Sequence, residues 1–404
     1  MRRKPLFPPP KDPSTGKTKR NKGRQDFTVL TVNGRVQLWR RRWYSPNEGT
    51  TTPMDCWLDT IEGTISLGVR EMACRLNGDG KNFDKAAANL ARTAQVRVSG
   101  ETLRVLVEAE GKRVLQAQRS GQLAVDWSAA DCQTEEMRTR VYFGSDGVMV
   151  PLVTDAEKRS RRQKVKEKRR GKKGRPLSPR KEGADQHYKE FKIVAFYDET
   201  QTHRLVSGTR GDHEVAGRLM RREASRIRLD LADEKVGNVD GSPWIRNQVQ
   251  RQCLPLDDLG LDFYHLSENA HKARREIYGE DGEAGKQWVE KLLRTFKHEG
   301  YEPTWQLLLG WRVGLRRGQR AAGDRLLNYV SERRDMIKYP EFLAKNWQIG
   351  SGPTEATCKT LTARLKGSGM RWDADNAEAV MALEALTQSG QWDLYWQSQL
   401  RPTG

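Results

Sequence analysis

The chain has no long hydrophobic run. No stretch of its 404 residues approaches the roughly 18 consecutive apolar residues that a membrane-spanning helix needs. The first residues, MRRKPLFPPPKDPSTGKTKRNKGRQ, carry charge but lack the apolar core of a secretory signal. The five cysteines are scattered without a CxxC pair, so neither a disulfide framework nor a zinc knuckle is indicated. We therefore expect a cytoplasmic protein with reduced thiols and no membrane partner.

Negative charge is scarce relative to positive charge. The chain has 72 Lys and Arg against 53 Asp and Glu, which gives a formal net charge of +19 and a pI of about 9.8. Such a surplus is typical of proteins that bind phosphate backbones. Nucleic acid is therefore the expected partner, although ribosomal and membrane-surface proteins share this composition.

The N-terminal part of the chain divides into three segments. Residues 1–26 are rich in Pro, Lys, Arg and Gly, which predicts a disordered basic tail. Residues 27–64 form a β-hairpin segment in which Asn33-Gly34 suits a type I′ turn between two β-rich runs. In residues 65–125 apolar side chains recur every three or four positions, which predicts three amphipathic helices.

The last two of these helices are joined by a short connection that ends at Ser99, a suitable N-cap. This spacing is typical of a helix-turn-helix DNA-binding domain. The helix after Ser99 would then present Thr102 and Arg104 to the major groove, where arginine can read guanine and threonine can contact a thymine methyl group. A plain three-helix packing unit is the alternative.

From residue 137 the pattern mixes strands and helices. Residues 137–266 contain three β-type runs, a helix and two further short strands. They also contain a strongly basic stretch at 156–185, which predicts a solvated loop that can neutralise phosphates. Residues 267–348 are predicted to be a helical insertion, and the final helices occupy 349–404. The predicted fold class is therefore α+β.

Three carboxylates stand out in these segments. Asp146 lies within a β-like run, Asp240 lies where a strand gives way to a helix, and Glu355 lies near the start of a helix. A lone Asp-Gly pair is usually a turn, but two such pairs at strand positions favour a functional role. Carboxylate oxygens are suitable ligands for Mg²⁺ or Mn²⁺, so the sequence predicts a site for two metal ions that direct phosphoryl transfer.

The second carboxylate of this set has a competitor. Asp262 ends a strand-like run beside His265 and is an alternative to Asp240 as metal ligand. Side chains that could hold a scissile phosphate or stack on an unpaired base follow Glu355 along its helix and beyond. They are Lys359, Arg364, Lys366, Arg371 and Trp372. An exposed helix with a core tryptophan is the alternative interpretation.

Four short blocks of sequence combine these residues. They are Asp146-Gly147, Asp240-Gly241 with Trp244, Leu261-Asp262-Phe263-Tyr264-His265, and Ile349-Gly350-Ser351-Gly352 through Glu355 to Gly369-Met370-Arg371-Trp372. Together they resemble bacterial insertion-sequence transposases of the ISKra type. The resemblance implies an RNase H-like mixed sheet with a helical insertion, preceded here by the all-α helix-turn-helix domain. It also implies that Asp146, Asp240 and Glu355 bind two Mg²⁺ or Mn²⁺ ions, with Asp262 and His265 in supporting roles.

The activity implied by this resemblance is that of a DDE transposase in the bacterial nucleoid. Such an enzyme binds the terminal inverted repeats of a transposon, cleaves the DNA strands and transfers them to target DNA, as a homodimer or larger assembly. A non-catalytic sequence-specific DNA-binding protein, such as a repressor or a domesticated transposase, is the main alternative. A nuclease acting on hybrids or structured DNA and a protein acting by charge alone are others. The three carboxylates argue against a non-catalytic protein.

Overall fold

The computed structural model describes residues 8–57, 64–171, 174 and 176–399. A small antiparallel sheet comes first, with strands in the order β1 (Arg20–Thr31), β2 (Gly34–Ser45) and β3 (Gly49–Thr51). A larger mixed sheet follows, made of β4 (Arg140–Pro151), β5 (Tyr188–Tyr197), β6 (Arg204–Thr209), β7 (Glu234–Val239) and β8 (Asp258–Leu261). Together with the helices, these sheets make the chain an α+β protein.

The helices fall into four groups along the chain. Those before the larger sheet are α1 (Leu67–Gly78), α2 (Phe83–Thr93) and α3 (Gly100–Arg119). Those between its strands are α4 (Asp155–Lys168), α5 (His213–Arg226) and α6 (Pro243–Arg251). After β8 come α7 (Phe263–Tyr278), α8 (Glu283–Glu299), α9 (Tyr301–Val313), α10 (Arg320–Ser331) and α11 (Tyr339–Ala344). The chain closes with α12 (Gly352–Ala363), α13 (Ala374–Gln388) and α14 (Trp392–Gln399).

Strand β4 lies at the centre of the larger sheet, whose order is β6-β5-β4-β7-β8. Strand β5 is antiparallel to β4 and β6, whereas β4, β7 and β8 run parallel to one another. The pairing with β7 covers only the first residues of β4, up to Phe143 opposite Gly237. The rest of β4, including Asp146, pairs with β5 alone. This part of β4 therefore extends beyond the end of β7, where a site can open.

Both faces of the larger sheet are covered. Because side chains alternate along a strand, Tyr142 and Phe143 of β4 enter different hydrophobic clusters. The cluster of Tyr142 contains side chains from α1–α3 and α12–α14, and the cluster of Phe143 contains side chains from α5–α8 and α10. Burial on both faces explains why the central strands are almost continuously apolar.

The three N-terminal helices share their core with the sheet, so the predicted boundary at residue 125 does not separate two cores. Leu90 of α2 and Val107 of α3 belong to the same buried cluster as Ile193 of β5. Helix α3 also lies backbone to backbone against α13, since a Cβ atom on Gly111 would be 2.5 Å from the carbonyl oxygen of Ala379. The predicted helices and the Ser99 cap are confirmed, with Ser99 accepting the N–H of Thr102 at 3.0 Å.

Part of the predicted disordered tail is paired. Strand β1 begins at Arg20, so residues 20–26 hydrogen-bond to β2 instead of extending the tail. These residues are polar, and it is backbone pairing rather than burial that orders them, which composition does not reveal.

The hairpin turn also differs from the prediction. Thr31 pairs with Gly34, so the loop is Val32-Asn33, and Gly34, with a φ of +102°, opens β2. Residues 1–7 lie outside the described part.

The basic stretch predicted as a loop begins with helix α4. Thr154 accepts the N–H of Glu157, and the Glu157 carboxylate accepts the N–H of Thr154, which forms a capping box. No residue of α4 is buried. The helix therefore depends on its cap and on the good helix propensity of long side chains, and a search for apolar periodicity could not find it. Residues 172, 173 and 175 of this stretch lie outside the described part.

The segment between β8 and α12 is helical, as predicted. It begins a few residues earlier than expected, because α7 starts at Phe263 and places His265 on its first turn. The final segment contains α12–α14, and residues 400–404 lie outside the described part. Among the described helices, none has the length and apolar character that crossing a membrane requires.

Replacing Gly111 with alanine is expected to lower the free energy of unfolding by about 1–3 kcal/mol, because the new methyl group forces α3 away from α13. Urea denaturation measures the change. The matched control is Gly310→Ala on α9, where an added Cβ has nothing within 4 Å. That control should gain about 0.5–1 kcal/mol from helix propensity. A stabilised Gly111→Ala variant would contradict the close α3–α13 packing.

Candidate active site

Asp146 lies on the central strand, on the face that α12 covers. Two residues earlier on the same face, a Cβ atom on Gly144 would lie 1.8 Å from Oγ1 of Thr354. Glycine at position 144 therefore lets α12 approach β4. Asp146 is half-buried, and its Oδ1 accepts the N–H of Gly147 at 2.6 Å. Its carboxylate faces the helix that carries Glu355.

Asp240 directly follows β7, the parallel neighbour of β4. Its two oxygens accept the N–H and the hydroxyl of Ser242 at 2.8 and 2.6 Å, which fixes the turn that leads into α6. Gly241 has a φ of +79°, a conformation that L residues rarely adopt. The turn holds Asp240 at the carboxyl end of β7. The half of β4 that carries Asp146 extends past this end.

Glu355 lies on the first turn of α12, with its side chain 42% exposed. Its Oε1 lies 3.6 Å from Nε2 of His265, and Nδ1 of the same imidazole lies 3.6 Å from Oε2 of Glu268. These separations are too long for direct hydrogen bonds. His265 therefore interacts with both carboxylates mainly through charge, and it does so only when protonated.

The charges of the other two carboxylates act on Asp146. Burial raises the pKa of Asp146 above its ordinary value of 3.8, and the negative charges of Asp240 and Glu355 raise it further. The N–H of Gly147 and the charge of His265 act in the opposite direction. Burial also raises the pKa of the Cys358 thiol, and the nearby charge of Asp146 adds to that effect. The Asp146 carboxylate thus lies in a partly dry region in which its negative charge is disfavoured.

The chemistry of this group fits a divalent cation. Asp146 and Asp240 accept their hydrogen bonds from the neutral donors Gly147 and Ser242. A bound Mg²⁺ or Mn²⁺ would supply the missing positive charge, and oxygen atoms are the ligands that these ions prefer. Within the described residues, no three His, Cys, Asp or Glu side chains are already close enough together to hold a metal ion. Asp146, Asp240 and Glu355 are the side chains that would do so.

Asp262 has a different environment from these three. It is 0% exposed, and its Oδ1 caps α7 by accepting the N–H groups of Tyr264 and His265. Its Oδ2 accepts both the N–H and the hydroxyl of Ser351, the residue that precedes α12. Asp262 is fully buried, whereas Asp240 is only half-buried, so Asp240 is the more accessible of the two carboxylates.

The contacts of Asp262 also close the base of the helical insertion. Phe263, the first residue of α7, donates its N–H to the carbonyl of Ile349 at 2.9 Å. Asn238 of β7 donates its side-chain N–H to the carbonyl of Gln348 at 2.8 Å. The entry and exit of the insertion are thus tied to each other and to the sheet, and this tie places His265 opposite Glu355.

The insertion contributes side chains that the sequence analysis missed. Arg333 packs on the turn after Asp240, since a Cβ atom on Gly241 would lie 2.6 Å from its Nε. Its guanidinium lies 4.1 Å from the ring centre of Tyr329. Burial raises the pKa of Tyr329 to about 12, and the charges of Asp240 and Asp262 add to this effect while that of Arg333 opposes it. No motif or spacing links these residues, because only the fold brings them together.

Two of the residues predicted to contact DNA, Arg364 and Trp372, are buried, which argues against such a contact. Arg364 is 6% exposed, its Nε donates to the carbonyl and side chain of Asn77, and it lies between the rings of Phe83 and Trp372. Burial lowers the pKa of Arg364 to about 10. Trp372 is 5% exposed and donates its indole N–H to the carbonyl of Leu365 at 3.1 Å. Both residues join the N-terminal helices to the region after α12.

The other predicted cations after Glu355 are exposed. Lys359 and Lys366 point to solvent, and Arg371 pairs with Glu157 of α4. One guanidinium nitrogen of Arg371 also lies 3.3 Å from Nδ1 of His187. Helix α4 itself carries a dense row of basic side chains with none buried. These residues can reach a phosphate backbone without unfolding any packed contact.

Thr102 and Arg104 lie on the first turns of α3. Thr102 is exposed and its hydroxyl lies 2.8 Å from that of Ser99. Arg104 pairs with Glu101 and Glu108, each at 2.6 Å. Pairs of this kind on a helix surface are weak enough to exchange for other partners. Contact between these two residues and DNA bases stays a prediction.

Comparison with known proteins gives no family for this chain. No protein-family model matches it, and no curated protein matches it at a significant level. Its function has to be inferred from the site itself.

Replacing Asp146 with asparagine is expected to raise the melting temperature in EDTA near pH 7 by roughly 1–3 °C. Because the folded-state pKa is raised, ionisation of Asp146 removes stability as pH rises from 3.8 through the raised value. Asparagine avoids this loss, so its advantage should disappear below pH 3.8, where the native carboxyl is protonated in both states. Circular dichroism follows the unfolding.

The control for this measurement is Asp281→Asn, which replaces an exposed carboxylate of the insertion. The melting temperature of this variant should equal that of the wild type. Mg²⁺ should raise the melting temperature of the wild type more than that of Asp146→Asn. A destabilised Asp146→Asn variant in EDTA near pH 7 would contradict the electrostatic description of the site.

Proposed function

We propose that the chain is a DDE-type DNA transposase with an RNase H-like catalytic core. The strand order β6-β5-β4-β7-β8, with β5 alone antiparallel, supports this fold. The observation that carries the proposal is the placement of three acidic residues far apart in the sequence. Asp146 lies on the central strand, Asp240 at the end of its neighbour, and Glu355 on the helix that packs against the central strand. The helices between β8 and α12 form the insertion of such an enzyme.

In this proposal each carboxylate has its own structural support. Asp146 stands on β4, which pairs with β5 there, and Asp240 follows β7 in a turn that Ser242 fixes. Glu355 stands on a helix whose start is fixed by the Asp262–Ser351 contact. Two ions bound here would activate a water or a 3′-hydroxyl and stabilise the leaving oxygen at the scissile phosphate. His265, 3.6 Å from Glu355, limits the negative charge of the group when it is protonated.

DNA is the proposed substrate. Lys359, Lys366 and Arg371 lie exposed along and beyond the helix that carries Glu355, where they can hold the strand that is cut. Arg371 is next to α4, which would extend this basic surface. The N-terminal turns of α3, with Thr102 and Arg104, are the proposed contact with the terminal inverted repeats. Since two transposon ends and a target must be brought together, the active form is proposed to be a homodimer or a larger assembly on DNA.

A plasmid that carries the DNA flanking this coding sequence tests the proposal. With Mg²⁺ or Mn²⁺ the wild type is expected to cut at the ends of the element, and with EDTA it should bind without cutting. Asp146→Asn, Asp240→Asn and Glu355→Gln should each reduce cutting by more than about a hundredfold, and binding in EDTA should be nearly unchanged. Asp281→Asn is the matched control and should cut normally.

Other results would redirect the proposal. If the wild type binds these ends but neither metal yields any cut, the chain is a non-catalytic DNA-binding protein. If Asp240→Asn still cuts, Asp240 is not a metal ligand. Loss of binding in all three carboxylate variants would contradict the separation of the metal site from the DNA-binding surfaces.

A further inference from the structure

Strands β1 and β2 form a long ribbon that lies against α1 near its turn and pairs with β3 at its other end. Each strand has twelve residues, which corresponds to roughly 40 Å. Near the turn, Leu30 exchanges backbone hydrogen bonds with Thr64 and Ser66 at 2.7 and 2.9 Å, and its side chain enters the core. Val32 in the turn contacts Gly68 of α1. The remainder of the ribbon extends away from these contacts.

The two faces of the ribbon differ in exposure. On one face, Phe27, Leu38 and Arg40 are half-buried, and Arg40 pairs with Asp55 in the short 3-10 helix Pro53–Trp57. The residues between them along each strand point to the other face, and cross-strand partners share the same face. We call this other side the open face. Leu30, the partner of Arg35 on this face, is buried near the turn. The exposed members of the open face are Arg24, Asp26, Thr28, Arg35, Gln37, Trp39 and Arg41.

The open face has the side chains of a nucleic-acid contact. It carries three arginines against one aspartate, and its central Trp39 is 49% exposed. The Arg24 guanidinium lies 4.0 Å from the ring centre of Trp39, so the two are held together as a flat, cationic surface. Gln37 and Thr28 are directly paired across the strands and present an amide and a hydroxyl. An aromatic ring and hydrogen-bonding groups of this kind, left uncovered on a ribbon, indicate a binding surface.

We propose that the open face of the β1–β2 ribbon is a second DNA-contact surface, which lies in the major groove of duplex DNA. A two-stranded ribbon fits this groove, where arginine can pair with guanine and glutamine with adenine. The three arginines are spread along the ribbon. This arrangement matches the regularly spaced phosphates of DNA better than it matches a single compact acidic patch on a protein. A register shift between Asn21 and Arg24 increases the local twist, as a ribbon following a groove requires.

The inference rests on the proposed function in that its ligand is DNA, but it does not depend on the carboxylates. Anisotropy of a labelled duplex in EDTA therefore tests it without cleavage. Arg24→Ala/Arg41→Ala is expected to reduce the slope of log affinity against log salt by about 2 and to weaken binding roughly tenfold to a hundredfold at moderate salt. Trp39→Ala should weaken binding with little change in this slope. Circular dichroism verifies that the variants are folded.

The matched control is Arg316→Ala/Arg317→Ala, which removes the same charge from exposed residues before α10. It should bind nearly as the wild type does. An equal loss in this control, or normal binding by a folded Arg24→Ala/Arg41→Ala variant, would overturn the inference. The inference would also be overturned if the ribbon variant lost binding to polyglutamate but kept binding to duplex DNA, because the ribbon would then bind an acidic protein.

The two proposals fail in different ways. If the wild type binds no duplex at all, the proposed function and the ribbon inference fail together. If the ribbon variants bind normally while the plasmid is still cut in a metal-dependent way, only the ribbon inference fails.

Discussion

One buried carboxylate, Asp262, fixes the geometry on which the rest of the site depends. It ends β8, caps α7 and holds Ser351 at the start of α12, so it joins the two ends of the helical insertion. The backbone bond from Phe263 to Ile349 joins the same two ends of the insertion. His265 and Glu355 face each other because this carboxylate fixes the first turns of both helices. A buried, fully hydrogen-bonded carboxylate is suited to this role, since any change of geometry would leave it unpaired in an apolar setting.

The second constraint is the charge of the site. Asp146 sits on the central strand of the sheet, where burial, together with the charges of Asp240 and Glu355, makes its ionised form unfavourable. This repulsion lowers the stability of the folded protein, and a cation bound at the site would restore that stability. Strained charge of this kind is typical of functional sites. The basic surfaces lie outside this group, on α4 and around Lys359 and Arg371, where they can bind phosphates without neutralising the carboxylates directly.

Sequence patterns predicted the elements that follow a simple period. The amphipathic helices α1–α3, the Ser99 cap and the helical nature of the insertion were all predictable from apolar spacing and local caps. Helix α4 was missed because it buries nothing, and only Thr154 and Glu157 mark its start. The burial of Arg364 was missed because a sequence does not show which side of α12 faces the N-terminal helices, whereas a buried Trp372 was one of the two interpretations left open. The carboxylates were singled out by residue type, but their places on β4, after β7 and on α12, and the packing of Arg333 on Gly241, depend on long-range topology.

The most direct test of the central claim, that the three carboxylates form one metal site, is iron-mediated cleavage of the protein itself. Fe²⁺ that replaces Mg²⁺ produces hydroxyl radicals in the presence of ascorbate and peroxide, and these cut the nearest backbone. If the three carboxylates share one metal site, cuts are expected near Asp146, Asp240 and Glu355 together. Excess Mg²⁺ should suppress these cuts, and Asp240→Asn should lack them. Cuts at only one of the three segments, or cuts confined to other parts of the chain, would contradict that claim.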